Sequence, residues 1–65
     1  MIPLASSNLA GYDYDTENRV LTIRFTSGRT YRYRDVPEDV ADGLGTAGSP
    51  GRYFNSEIKG TFSEG

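Results

Sequence analysis

Three arginines, Arg24, Arg32 and Arg34, stand at even-numbered positions in two segments that alternate apolar and polar residues. A guanidinium presents planar, paired donors that match phosphate oxygens. On an antiparallel strand pair these positions share one face, which would contact phosphates without reading sequence. Consecutive same-face residues on a strand stand about 7 Å apart, close to the phosphate repeat of a single nucleic-acid strand. The plain alternative is a solvated sheet face whose charges keep it soluble. A second basic group follows the run Ser49-Pro50-Gly51, which reads as the opening of a helix. Helix N-termini attract anions, and Arg52 stands there. Asn55 and Lys59, four residues apart on one helical face, extend the same candidate site.

What the chain lacks narrows the chemistry further. Among 65 residues there is no histidine and no cysteine. That removes the usual zinc ligands, the usual neutral-pH general base and any disulfide. The nine carboxylates fall in turn and surface contexts: Asp13, Asp15 and Glu17 near one turn, Glu38, Asp39 and Asp42 on a helix. Without histidine or cysteine no nucleophile–base constellation can be assembled, which leaves a carboxylate-only site as the remaining catalytic alternative. The expectation is a non-enzymatic binding module with no metal and no cofactor. A net charge of −2 argues against a general nucleic-acid coat protein, while leaving room for a locally basic face. No apolar run approaches the roughly 20 residues of a membrane span. The start, Met1-Ile2-Pro3-Leu4, does not read as a signal peptide. Together with the lack of cysteine, this points to the cytoplasm.

The elements that must position these residues are legible from periodicity. A chain this short buries only about 60% of its unfolded surface. Its five tyrosines and three phenylalanines are the natural core material. Residues 10–14 read as a strand. Residues 19–26 alternate with Leu21, Ile23 and Phe25 on one face, and residues 29–34 alternate with Tyr31 and Tyr33. In an antiparallel pair, opposed residues share a face, so the apolar sets must meet. A two-residue Ser27-Gly28 turn would set Phe25 against Thr30 and break this. One three-residue loop would set Arg24 directly against Arg32, which is destabilising. The remaining choice sets Ile23 against Tyr31 and Leu21 against Tyr33. It places Gly28 in the left-handed position of a G1 bulge. For the first hairpin the reading is Tyr12 opposite Leu21, with the four-residue loop 15–18.

After the strands, Pro37, Glu38 and Asp39 suit a helix's first turn, and Val36, Val40, Leu44 and Ala47 follow helical spacing. Gly43 and Gly45 weaken that helix. Ser49 reads as the N-cap of a second helix with Pro50 at its first position. Phe54 and Ile58 lie on its buried stripe, and Gly60 is its C-terminal stop. Phe62 is either tucked back or exposed. The expected fold is α+β: a three-stranded antiparallel β-meander followed by two short helices packed on one sheet face. Tyr31, Tyr33, Phe54 and Ile58 are its core motif. The whole chain, 1–65, reads as one domain with an ordered core over about 6–62.

The residues also carry a resemblance. Ser6-Ser7-Asn8-Leu9, Tyr12-Asp13, Leu21-Thr22-Ile23-Arg24-Phe25 and Ser27-Gly28 lead into Tyr31-Arg32-Tyr33 and Val36-Pro37. The stretch from Ala47 to Asn55 and then Ile58-Lys59-Gly60 follow. In this order and spacing they resemble the KTSC domain, a module of bacterial and phage proteins also found at the C-terminus of some lysyl-tRNA synthetases. The synthetase context implies RNA as a partner. Lys59 stands where relatives often carry arginine, and Phe62 where tyrosine is common. Two functional classes follow. One is an RNA- or nucleic-acid-binding module using Arg24, Arg32 and Arg34, with Arg52 and Lys59 as a separate group. The other is a protein-interaction module, such as a phage or plasmid accessory protein, that accepts another chain at open strand edges 10–14 or 29–34.

Overall fold

The computed structural model describes residues 1–64. Strands β1 (Ile2–Pro3), β2 (Leu9–Asp15), β3 (Val20–Phe25) and β4 (Thr30–Tyr33) form one antiparallel sheet in that order. Helices α1 (Glu38–Thr46) and α2 (Pro50–Tyr53) follow, and α2 runs on into a π-helical turn, Phe54–Ile58. The class is α+β as expected, with four strands rather than three. The extra strand is two residues long and contains a proline, so it carries no alternation to read. It shows itself through Gly11, where a β-carbon would stand 2.8 Å from the Ile2 carbonyl oxygen.

The β3–β4 register is the expected one. Ile23 faces Tyr31, Leu21 faces Tyr33 and Arg24 faces Thr30. Gly28 takes φ +97°, where a side chain would be strained. The β2–β3 register differs by two residues from the expectation. Tyr12 faces Ile23 rather than Leu21, and Tyr14 faces Leu21. A shift of two keeps every side chain on its own face, so alternation alone does not distinguish the two registers. The turn chemistry does. Asp15 ends β2, and its Oδ1 accepts the N–H groups of Glu17 at 3.0 Å and Asn18 at 3.2 Å. The loop becomes 16–19, closed by Arg19 at φ 58°. These bonds hold the Asp15 carboxyl below its ordinary value, the side-chain bond from Asn18 contributing most.

The core gathers Leu9, Tyr12, Leu21, Ile23 and Tyr33 from the sheet, then Val36, Ala41, Leu44, Phe54 and Ile58 from beyond it. Tyr14 donates its hydroxyl to the Val36 carbonyl, tying β2 to the segment that enters α1. Pro37 is not inside the first turn of α1. It precedes the helix in extended conformation, and Ala47 lies past the helix end, also extended. Proline disfavours the helical region for Val36 before it, which delays the start. Ser49 and Pro50 take the expected N-cap and first positions, although the serine side chain makes no capping bond. In the π turn the Lys59 N–H donates to the Phe54 carbonyl at 2.9 Å. Gly60 follows at φ +84°. Phe62 is tucked back, half-buried against the core.

Gly43 and Gly45 have a packing reason that outweighs helix propensity. A β-carbon at Gly43 would overlap the Tyr53 hydroxyl and ring, and one at Gly45 would overlap the Tyr12 hydroxyl. The Tyr53 hydroxyl donates to the Val40 carbonyl at 2.8 Å, clamping α2 against α1. Burial, then Glu57 and Asp39, raise the Tyr53 phenol above its ordinary value. Gly43→Ala adds up to about 1 kcal/mol of helix propensity. It displaces that clamp, and overpacking costs about 1–3 kcal/mol. The expected outcome in chemical denaturation is net destabilisation. In a Tyr53→Leu background, where the clamp is gone, the same glycine change should become stabilising.

Candidate nucleic-acid interface

The sheet has two different faces. The inner face meets the helices. On the outer face, Arg24 lies opposite Thr30 and Arg32 opposite Thr22, so the two arginines are diagonal neighbours across β3 and β4. Diagonal pairs stand about 7–8 Å apart. Arg34 is the first residue beyond β4, and all three side chains are exposed. The carboxylates of this face are Asp13 and Asp15. Asp13 accepts the N–H of Tyr14 at 3.1 Å, and Asp15 is turned into its own hairpin loop. Arg24 and Arg32 thus form a small cationic pair on strands whose other face is the hydrophobic core, and Arg34 follows just beyond β4. That placement fixes their backbones and leaves the side chains exposed.

Arg52 and Lys59 lie apart from these arginines, Arg52 in α2 and Lys59 just after the π turn. Arg52 lies in the last turn of α2 and is exposed. Lys59 instead stands on the rim of a groove of about 450 Å³ on the helical side. Phe25, Tyr31 and Phe54 line its wall, with Phe62 and the side chains of Asn55 and Glu64.

The groove's aromatic wall is an edge-to-face chain. Tyr31 meets Phe25 at 5.2 Å between centroids, Phe25 meets Phe54 at 5.5 Å, and Phe54 meets Tyr33 at 5.7 Å. Tyr33 is buried, as expected, at 7% exposure. Burial is the main cause that raises its phenol above the ordinary value, followed by the nearby Glu64 carboxylate. Tyr31, expected to be buried with it, is only half-buried. Phe54 reaches across to Tyr33 and Phe25, whereas Tyr31 lies one ring farther toward the β3–β4 turn, at the edge of the helical cover. Its hydroxyl accepts a bond from Arg29 Nη1 at 3.3 Å. That pair escaped sequence reasoning, although Arg29 and Tyr31 share odd-numbered positions and therefore a face.

Each of the two strand edges named from the sequence is covered in part. Ile2–Pro3 pairs with β2 along Gly11 and Tyr12. On the other side Tyr33 bridges Glu64, and the Arg34 N–H donates to the Ser63 carbonyl at 2.9 Å. Among the described residues, no cluster of acidic, histidine or cysteine side chains is placed to hold a metal. Among the same residues, no helix is long and apolar enough to cross a membrane.

Comparison with known proteins agrees with this architecture. A crystal structure of a KTSC domain protein from Yersinia pestis superposes with a TM-score of 0.92 at 40% identity, covering 97% of this chain and 89% of that one. A protein of Tsukamurella paurometabola is 42% identical over 62 residues, 95% of this chain and 92% of its own length. The lysine–tRNA ligase of Nostoc punctiforme is 43% identical over 51 residues, which is 78% of this chain and 9% of the ligase. The KTSC domain family itself matches residues 5–62, and with that match over nearly the whole sequence the chain belongs to the KTSC domain family.

Proposed function

We propose that this domain is a non-catalytic RNA-binding module that holds the phosphate backbone on its outer sheet face through Arg24, Arg32 and Arg34. The observation that carries the reading is the placement of Arg24 and Arg32 as exposed diagonal neighbours on strands fixed by the core, with Arg34 next in line. Phosphate contacts of this kind position a strand without selecting its sequence. The occurrence of a similar segment within lysine–tRNA ligases, which act on tRNA, supports RNA as the partner. A protein-interaction role has less to rest on. Strand addition needs a free edge, and β2 is paired at Gly11 and Tyr12 and β4 bridged at Tyr33, which shortens the edge each offers. What favours that role is the exposure of Met1 at 60% and Ile2 at 52% beside the β1 edge.

A salt titration of RNA affinity tests the reading. Each phosphate contact adds to the slope of log affinity against log salt. Arg32→Ala/Arg34→Ala should weaken binding at low salt and flatten that slope by about one to two units. Both residues are exposed, so the melting temperature should hold, as surface changes cost within about 0.5 kcal/mol. A folded double variant that binds as wild type does would defeat the proposal, as would wild-type protein with no affinity at low salt.

A further inference from the structure

We infer that the groove on the helical side receives a single unstacked nucleobase, with its phosphate held at the cationic rim. The inference rests on the RNA reading above but uses a different face of the sheet. Three observations lead to it. The volume, about 450 Å³, lies within the range of about 300–1,000 Å³ typical of small-ligand sites. The half-buried rings of Phe25 and Tyr31 are the part of the aromatic chain that the helices leave uncovered. A π face against a π face is the usual way a splayed base is held. The cations are on the same side: Lys59 lines the groove, and Arg29 donates to the hydroxyl of the Tyr31 ring.

The polar groups complete the match. Asn8 and Asn55 are exposed and line the groove, offering both donors and acceptors to a base edge. Glu64, a carboxylate on the lining, stands at the Tyr33 bridge. A carboxylate there accepts from an exocyclic amino group, the pairing that suits cytosine. An apolar peptide side chain would use the rings but leave Lys59, Asn55 and Glu64 without partners. A nucleotide uses all of them. The two faces then divide the work, the outer arginines holding backbone and the groove holding a base.

The test compares two strands of equal length, oligocytidine and an abasic ribose–phosphate oligomer, by fluorescence anisotropy. Wild type, Arg32→Ala/Arg34→Ala and Tyr31→Leu are measured with each, melting temperatures alongside. Base stacking predicts that wild type binds oligocytidine about tenfold or more tighter than the abasic strand. Tyr31→Leu should collapse that gap while leaving abasic binding unchanged. The arginine variant should weaken both strands and preserve the gap. Asn55→Ala, at an exposed position, removes only a contact to the base edge, so it should narrow the gap without any packing change and guards against a fold effect at Tyr31. Equal affinity for the two strands in wild type would overturn the groove while leaving the arginine face standing. A gap that survives Tyr31→Leu would place the base elsewhere and overturn it too. A gap that persists while the arginine variant changes nothing would support the groove and remove the outer-face reading. Absence of all binding would remove both, and capture of an apolar peptide in place of either strand would overturn the nucleobase assignment.

Discussion

Tyr33→Ala should cost about 3–5 kcal/mol, a large part of the total stability of a domain this small. Tyr33 ends β4 opposite Leu21, is 7% exposed and packs its ring against Phe54 at 5.7 Å. It is therefore the point where the sheet, the π turn and the C-terminal segment meet, since the Tyr33–Glu64 bridge starts there as well. Truncation leaves a cavity that rigid strands on one side and the Phe54 ring on the other can fill only in part. Tyr31→Ala should cost clearly less, because its ring is half-buried and has the groove on one side. Urea denaturation of the two variants checks the order. Equal losses would mean that the two tyrosines are packed alike, contrary to their exposures.

Ile58→Ala should cost about 2–5 kcal/mol. Ile58 is fully buried although it closes an unusual π turn. The turn carries the chain from Phe54 to Ile58 with both side chains inward and Asn55, Ser56 and Glu57 exposed. The Ile58 carbonyl then accepts from both Thr61 and Phe62 at 3.1 Å, folding the C-terminal segment back over the sheet. Ser56→Ala, on the exposed side of the same turn, should stay within about 0.5 kcal/mol. A small loss at Ile58 in urea denaturation would show that the π turn is not seated in the core.

Particular residues explain what the sequence discloses and what it hides. The β3–β4 register is legible because two constraints act together. Alternation excludes odd pairings, and repulsion between Arg24 and Arg32 excludes the other even one. The β2–β3 register is hidden because a two-residue shift satisfies the same alternation, and the bonds to Asp15 that decide it are local. Leu9, fully buried, escapes a strand reading that begins at Ala10, because the register shifts between Leu9 and Gly11. Phe54 and Ile58 are four apart, a spacing that looks like an α-helix and gives no sign of the wider turn. The glycines of α1 read as weak points, whereas their purpose lies in the distant rings of Tyr12 and Tyr53. The arginine strip follows from parity alone. The groove does not, because it joins Phe25 of β3 and Tyr31 of β4 to residues in and after the π turn.

The arginine strip is tested most directly by the proton–nitrogen correlation spectrum of the arginine Nε–H groups, recorded as single-stranded RNA is added. The Arg24, Arg32 and Arg34 signals should shift together and saturably, with those of Arg19 and Arg52 unmoved. Each arginine is assigned by its own substitution, so the spectrum identifies the face rather than the overall affinity. Shifts that appear at Arg19 or Arg52 while Arg24, Arg32 and Arg34 stay in place would contradict an RNA interface on the outer sheet face.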